Sequence, residues 1–155
     1  MLRRLTHGVV GFIAMLMLGS TTAAAAERDT RAQDTVAIQQ LIVKYAHVYD
    51  SLDVEGYVSV FAEDARFTFT GNELNGRDEI REFITGAKQR RDNLPAAEAA
   101  TKSFHWISNT LIGFDSATTA HHRSYWQVLS GPAGGPFTIT NMGYYDDVLT
   151  KQNGE

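Results

Sequence analysis

The chain has 155 residues, 43% of them hydrophobic, which is long enough for one packed core and too short for two. Acidic residues outnumber basic ones by 18 to 14, giving a net charge of −4, so no nucleic acid partner is expected. The sequence has no cysteine, which excludes disulfides, thiol nucleophiles and thiolate metal sites.

Residues 1–26 have the three-part layout of a secretory signal peptide: Arg3 and Arg4, an apolar run over residues 8–19, and small residues ending at Ala26. A transmembrane anchor is the alternative, but a spanning helix needs ~20 apolar residues and this run is shorter. We expect cleavage near Ala26, export to the periplasm or the medium, and a mature domain over residues 27–155 that is not held in a membrane. Cleavage removes two of 14 basic residues and none of 18 acidic ones, which leaves a net charge of −6.

Four elements are predicted in the first half of the mature chain from apolar spacing and polar boundaries. They are a helix from about Asp34 to Leu52, a short helix capped by Asp53, a strand over residues 65–70, and a helix over residues 77–90. Asn75-Gly76 is expected to turn the chain between the strand and the last helix. Helices that precede a run of strands are typical of an α+β fold.

Three long β-runs follow, over residues 103–114, 118–130 and 137–150, and they predict an antiparallel meander. Strict alternation along the first run predicts two faces. One face holds Ser103, His105, Ile107, Asn109 and Leu111, and the other holds Phe104, Trp106, Ser108, Thr110 and Ile112. Because both faces carry large apolar groups, one is expected to pack on the helices and the other on a second copy in a homodimer.

Four segments carry a family resemblance: AIQQLIVKYAHVYDSLDVEGYVSVFAEDARFTF, NGRDEIREFI, FHWISNTLIGFDSATTAHHRSYW and MGYYDDVLTKQNGE. Over residues 34–155 the chain resembles the SnoaL-like branch of the nuclear-transport-factor-2-like superfamily. The resemblance implies a cone-shaped α+β barrel, with helices on a curved, mostly antiparallel sheet, that holds a small apolar or cyclic ligand without a cofactor. It also implies one further strand after the last segment, so the final strand is expected to be missing here.

The resemblance further implies a catalytic pair, Asp50 and His105. In the dehydratase and dehydrochlorinase members, an aspartate that closes the first helix orients a histidine on the first long strand, which removes a proton from carbon. An imidazole suits this chemistry because it titrates near neutral pH, and a carboxylate can fix its tautomer. Helical periodicity alone puts Asp50 at the edge of the buried stripe, so a capping role for Asp50 and a structural role for His105 are the alternatives.

Five further residues are candidates for ligand contacts: Tyr45, Tyr49, Asn109, His122 and Trp126. Tyr45 and Tyr49 lie on the inner stripe of the first helix. His121 and His122 are adjacent on a strand and point to opposite faces, so at most one can join His105, and no metal site is expected.

The favoured hypothesis is a cofactor-independent lyase or isomerase. A noncatalytic module that binds a hydrophobic ligand or supports dimerisation is the alternative. A third possibility is an accessory subunit, like the small subunit of ring-hydroxylating dioxygenases, but export argues against it.

Overall fold

The computed structural model describes residues 10–152, which form four helices and five strands. The helices are α1 (Val10–Ser51), α2 (Val54–Ser59), α3 (Gly76–Asp92) and α4 (Ala96–Ala99), and the strands are β1 (Arg66–Phe69), β2 (Asn72–Asn75), β3 (Thr101–Phe114), β4 (Thr119–Pro132) and β5 (Thr138–Thr150). The chain divides into two compact units at Ile38 and Gln39. The first unit contains α1 as far as Ile38. The second contains the rest of α1, from Gln39, and all the other elements. No helix within the described residues is long and apolar enough to cross a membrane.

The prediction that the first helix begins near Asp34 is wrong, because α1 runs without interruption from Val10. The residues before Asp34 are rich in alanine, the strongest helix former, and contain neither glycine nor proline from residue 20 onward. Pairs four residues apart add support: Arg31 donates to Glu27 at 3.2 Å, and Gln33 donates to Asp29 at 3.2 Å.

The core of the second unit lies where α2 meets α3. Tyr57, Ile80 and Ile84 have no exposed surface, and Val58 is 3% exposed. The apolar spacing of α3 and its buried face are as predicted. Complete burial stabilises by ~1.5–3 kcal/mol for each large apolar side chain, so this cluster fixes α2 against α3.

Asp53 caps α2 as predicted, because its Oδ1 accepts a hydrogen bond from the Gly56 amide at 3.0 Å. A Cβ at position 56 would lie 2.2 Å from the other carboxylate oxygen of Asp53. The cap therefore requires glycine at this position.

The turn predicted at Asn75-Gly76 is present, because the chain passes there directly from β2 into α3 with Gly76 at φ 77°. An unpredicted turn precedes it at Thr70 and Gly71, whose φ angles of 45° and 78° are those of a tight two-residue hairpin between β1 and β2. Asn75 is the N-cap residue of α3, and its backbone amide donates to the Glu79 carboxylate at 2.7 Å. The strand predicted over residues 65–70 is thus confirmed as β1, with an unpredicted partner in β2.

Strands β3, β4 and β5 form an antiparallel sheet in that order, which confirms the predicted meander. Helices and a curved antiparallel sheet give the predicted α+β class, and the sheet of the described residues is not closed.

The predicted faces of β3 hold only as far as Ser108. A bulge between Ser108 and Leu111 inserts an extra residue against β4, so side chains beyond it change faces. Leu111 is consequently 69% exposed on the outer face, whereas Ile112 pairs with the buried His122. The assignment of Leu111 and Ile112 by strict alternation is therefore wrong.

Candidate active site

Asp50 lies in the last turn of α1, at a helix end closed by two hydrogen bonds. The Leu52 amide donates to the Tyr49 carbonyl at 3.0 Å, and the Asp53 amide donates to the Val48 carbonyl at 3.0 Å. This is a Schellman motif in which Leu52, at φ 54°, takes the left-handed position that usually falls to glycine. Because the chain turns sharply after Ser51, the Asp50 side chain is presented at the end of the helix.

The Asp50 carboxylate holds His105 at two points. Its Oδ1 lies 2.6 Å from Nδ1 of the imidazole, and its Oδ2 accepts a hydrogen bond from the His105 backbone amide at 2.9 Å. The side chains of His105 and Asp50 are only 13% and 17% exposed. An ionised carboxylate can only accept hydrogen bonds, so in the neutral imidazole Nδ1 carries the hydrogen and Nε2 has the lone pair. The arrangement presents Nε2 as a proton acceptor in a fixed direction.

This position is unfavourable for an aspartate on the grounds of helix stability alone. A carboxylate in the last turn faces the negative end of the helix dipole, at a cost of ~0.3–1 kcal/mol. The two hydrogen bonds to His105 offset that cost. Asp50 therefore serves the contact with β3 and not the helix, which argues against a simple capping role.

An aromatic wall surrounds the imidazole. The Tyr49 ring lies edge-on to His105 with centroids 4.9 Å apart, and the Trp126 ring lies 6.1 Å away. The indole of Trp126 lies over β5 at Gly143, where a Cβ would come within 2.6 Å of it. Tyr145 follows at 5.9 Å from Trp126. The His105 imidazole thus lies among aromatic rings that have apolar faces and polar groups at their edges.

The interior phenols remain protonated. Burial is the main cause that raises the pKa of Tyr45, Tyr57 and Tyr145 far above the ordinary value for tyrosine. The Tyr57 hydroxyl contacts the Tyr45 hydroxyl at 3.5 Å. Burial, followed by the charge of Asp50, also raises the pKa of Tyr49. These groups can therefore act as hydrogen-bond donors but not as bases near neutral pH.

Two of the predicted contact residues take unexpected positions. Asn109 is exposed within the β3 bulge at φ 54°, so it is not presented beside His105 on the inner face. His122 is on the inner face but fully buried, and its Nδ1 lies 2.7 Å from the Asp147 carboxylate of β5. Sequence reasoning did not single out Asp147. The sequence feature that could have identified Asp147 is the Asp146-Asp147 pair. Alternation along a strand places one of two adjacent residues on each face, and Asp147 is on the same face as Tyr145.

No three metal-ligating side chains come together in the part of the chain for which side chains are described. An open depression of about 470 Å³ includes the candidate base in its lining, which consists of Phe104, His105, Trp106, Ile107, Leu129 and Phe137.

Comparisons with known proteins agree on the fold. A protein of unknown function from Mycobacterium tuberculosis is 28% identical, with a TM-score of 0.67, over 82% of this chain and 68% of that chain. A candidate scytalone dehydratase from Novosphingobium aromaticivorans is 24% identical, with a TM-score of 0.66, over 83% and 80%. A candidate aromatic ring hydroxylase from the same organism is 27% identical, with a TM-score of 0.59, over 79% and 81%.

No curated protein matches the chain in sequence comparison. The SnoaL-like domain family matches residues 30–155, which include every element of the second unit and both members of the Asp50 and His105 pair. The chain therefore belongs to the SnoaL-like domain family.

Proposed function

We propose that this small-molecule-binding SnoaL-like protein is a cofactor-independent lyase or isomerase, in which His105 is the general base and Asp50 its orienting carboxylate. The two-point contact of Asp50 with His105 carries the proposal. A histidine needed only for packing requires one hydrogen-bond partner. Here a carboxylate fixes both the backbone and the ring, and Nε2 remains available for a proton from a bound molecule.

The reaction begins when His105 Nε2 takes a proton from an acidic carbon of the ligand. The imidazolium that forms is stabilised by the Asp50 carboxylate. A leaving group then departs from the neighbouring carbon in a lyase, or the proton returns to another carbon in an isomerase. Tyr45, Tyr49 and Trp126 supply the apolar wall and phenol donors, which suits a small cyclic or apolar substrate.

The molecule that copurifies with the protein tests this proposal. Mass spectrometry should identify a small cyclic or apolar compound, and a crystal structure of that complex should place its acidic carbon against His105 Nε2. A ligand that lies against Phe104 and Phe137 with no acidic carbon within reach of His105 Nε2 would contradict the catalytic proposal. That outcome would favour the second candidate, a noncatalytic binding or dimerisation module. The open apolar depression supports this alternative.

We also propose a homodimer formed through the outer face of the sheet. Trp106, Met142 and Tyr144 are 63%, 63% and 67% exposed, and Trp106 and Met142 both pair with Gln127 across the three strands. Contiguous apolar patches of more than a few hundred Å² are uncommon on soluble monomers. A second copy of the same face is the partner that this apolar surface fits.

Export is a further proposal, and it is based on residues 1–26 alone. When the chain is expressed with its own N-terminus in a bacterial host, the periplasmic protein should begin at or near Glu27. N-terminal sequencing of the purified protein measures this directly. A protein that retains residues 1–26 in the cytoplasmic fraction would contradict export.

A further inference from the structure

His122 and Ser124 present an unusual feature of the sheet interior. Their exposed fractions are 0% and 1%, yet within the described part of the chain no protein group forms a hydrogen bond with His122 Nε2 or with Ser124 Oγ. Leaving a buried donor or acceptor unpaired is unfavourable, and nearly all such groups in folded proteins have a partner. The two buried polar groups on β4 therefore indicate a hydrogen-bond partner from outside the protein, and one partner can serve both.

Asp147 defines the chemistry of the His122 ring. Its carboxylate lies 2.7 Å from Nδ1, so in the neutral imidazole Nδ1 carries the hydrogen and Nε2 accepts. The missing partner must consequently donate a hydrogen bond to Nε2. The Ser124 hydroxyl can donate or accept, so the same partner can accept from Ser124. A hydroxyl group meets both requirements, whereas a carbonyl or ether oxygen cannot donate.

The spacing of the two residues suits a single bridging atom. His122 and Ser124 are two residues apart on β4, so their side chains point to the same face with Cα atoms about 6.5 Å apart. Two hydrogen bonds of ~2.8 Å that meet at one oxygen join atoms about 4.5–5.5 Å apart. This Cα spacing is compatible with one oxygen atom that forms hydrogen bonds to both groups.

We propose that a single internal water molecule is bound between His122 Nε2 and Ser124 Oγ. Water can donate one hydrogen bond and accept another, and it is the smallest ligand that could join two side chains that are 0% and 1% exposed. The site is distinct from the Asp50 and His105 pair, because His105 pairs with Val128, which lies six residues from His122 on β4. His122 is then a residue of the sheet interior that holds water, and His105 is the histidine that meets the ligand.

A crystal structure of the unliganded protein, at a resolution that shows ordered waters, tests the proposal without any substitution. We expect one water within hydrogen-bond distance of both atoms. A dry site, a direct bond from Ser124 to His122, or density for a larger molecule would each overturn the proposal.

Replacement of Ser124 with alanine gives an independent test through stability. If water links the two groups, S124A removes one of its bonds, and the equilibrium constant for unfolding should rise roughly 5-fold. If the serine hydroxyl is truly unpaired, its removal should leave stability unchanged or improve it, which would overturn the proposal. Ser130→Ala on the same strand is the matched control, because the Ser130 hydroxyl already has partners in Ser103 and Thr140.

Discussion

Replacing His105 with glutamine should lower turnover by on the order of 10²–10⁴-fold, because the side chain that accepts the proton is lost. Replacing Asp50 with asparagine should have a comparable effect for a different reason. The carboxylate accepts two hydrogen bonds from His105, and an amide has only one accepting atom. Either the backbone amide or Nδ1 loses its partner, so the ring is free to rotate or to carry its hydrogen on Nε2.

The double variant should be little worse than either single variant, since the two residues act as one unit. His121→Gln is the matched control. His121 is another histidine paired with an aspartate, with Nε2 2.7 Å from Asp115, but both are about half exposed and the pair lies away from the helices. Steady-state kinetics measures the effects on turnover. Nitrogen NMR of the imidazole should show hydrogen on Nδ1 in the wild type and its displacement in Asp50→Asn. Full activity in either single variant would remove the pair from the mechanism.

If the proposed homodimer forms, replacing Trp106 with glutamate should convert it to a monomer at micromolar concentration. A central aromatic residue of an interface commonly contributes 2 kcal/mol or more, which corresponds to a weakening of about 30-fold or greater. Glutamate also places a charge opposite its symmetry mate if Trp106 lies near the twofold axis. Multi-angle light scattering over a concentration series gives the mass.

Val43→Glu is the control for this prediction, because Val43 is a similarly exposed apolar residue, 49% exposed, that lies on α1 and not on the sheet. It should leave the mass unchanged. A wild-type protein that is monomeric at micromolar concentration would show that the outer face of the sheet has another role.

Local sequence signals predicted those elements whose causes are local. Ile80, Phe83 and Ile84 recur at helical spacing, and the structure buries both isoleucines in α3. Asp53 caps α2 because its side chain needs to reach only three residues ahead. Asp34 is a plausible capping residue, but it does not begin α1, because an unbroken run of helix formers precedes it. The β1 to β2 hairpin was missed because Thr70-Gly71 is a weaker turn signal than Asn75-Gly76.

The sequence by itself determined the α+β class, the exclusion of cysteine chemistry, and the candidacy of Asp50 and His105. Tertiary structure alone decided which groups meet. Asp50 and His105 are 55 residues apart, and His122 and Asp147 are 25 apart, so their contacts depend on how α1 lies against β3 and on the register of β4 with β5. The bulge after Ser108 shows why alternation could not supply this information: one inserted residue exchanges the faces of every side chain that follows.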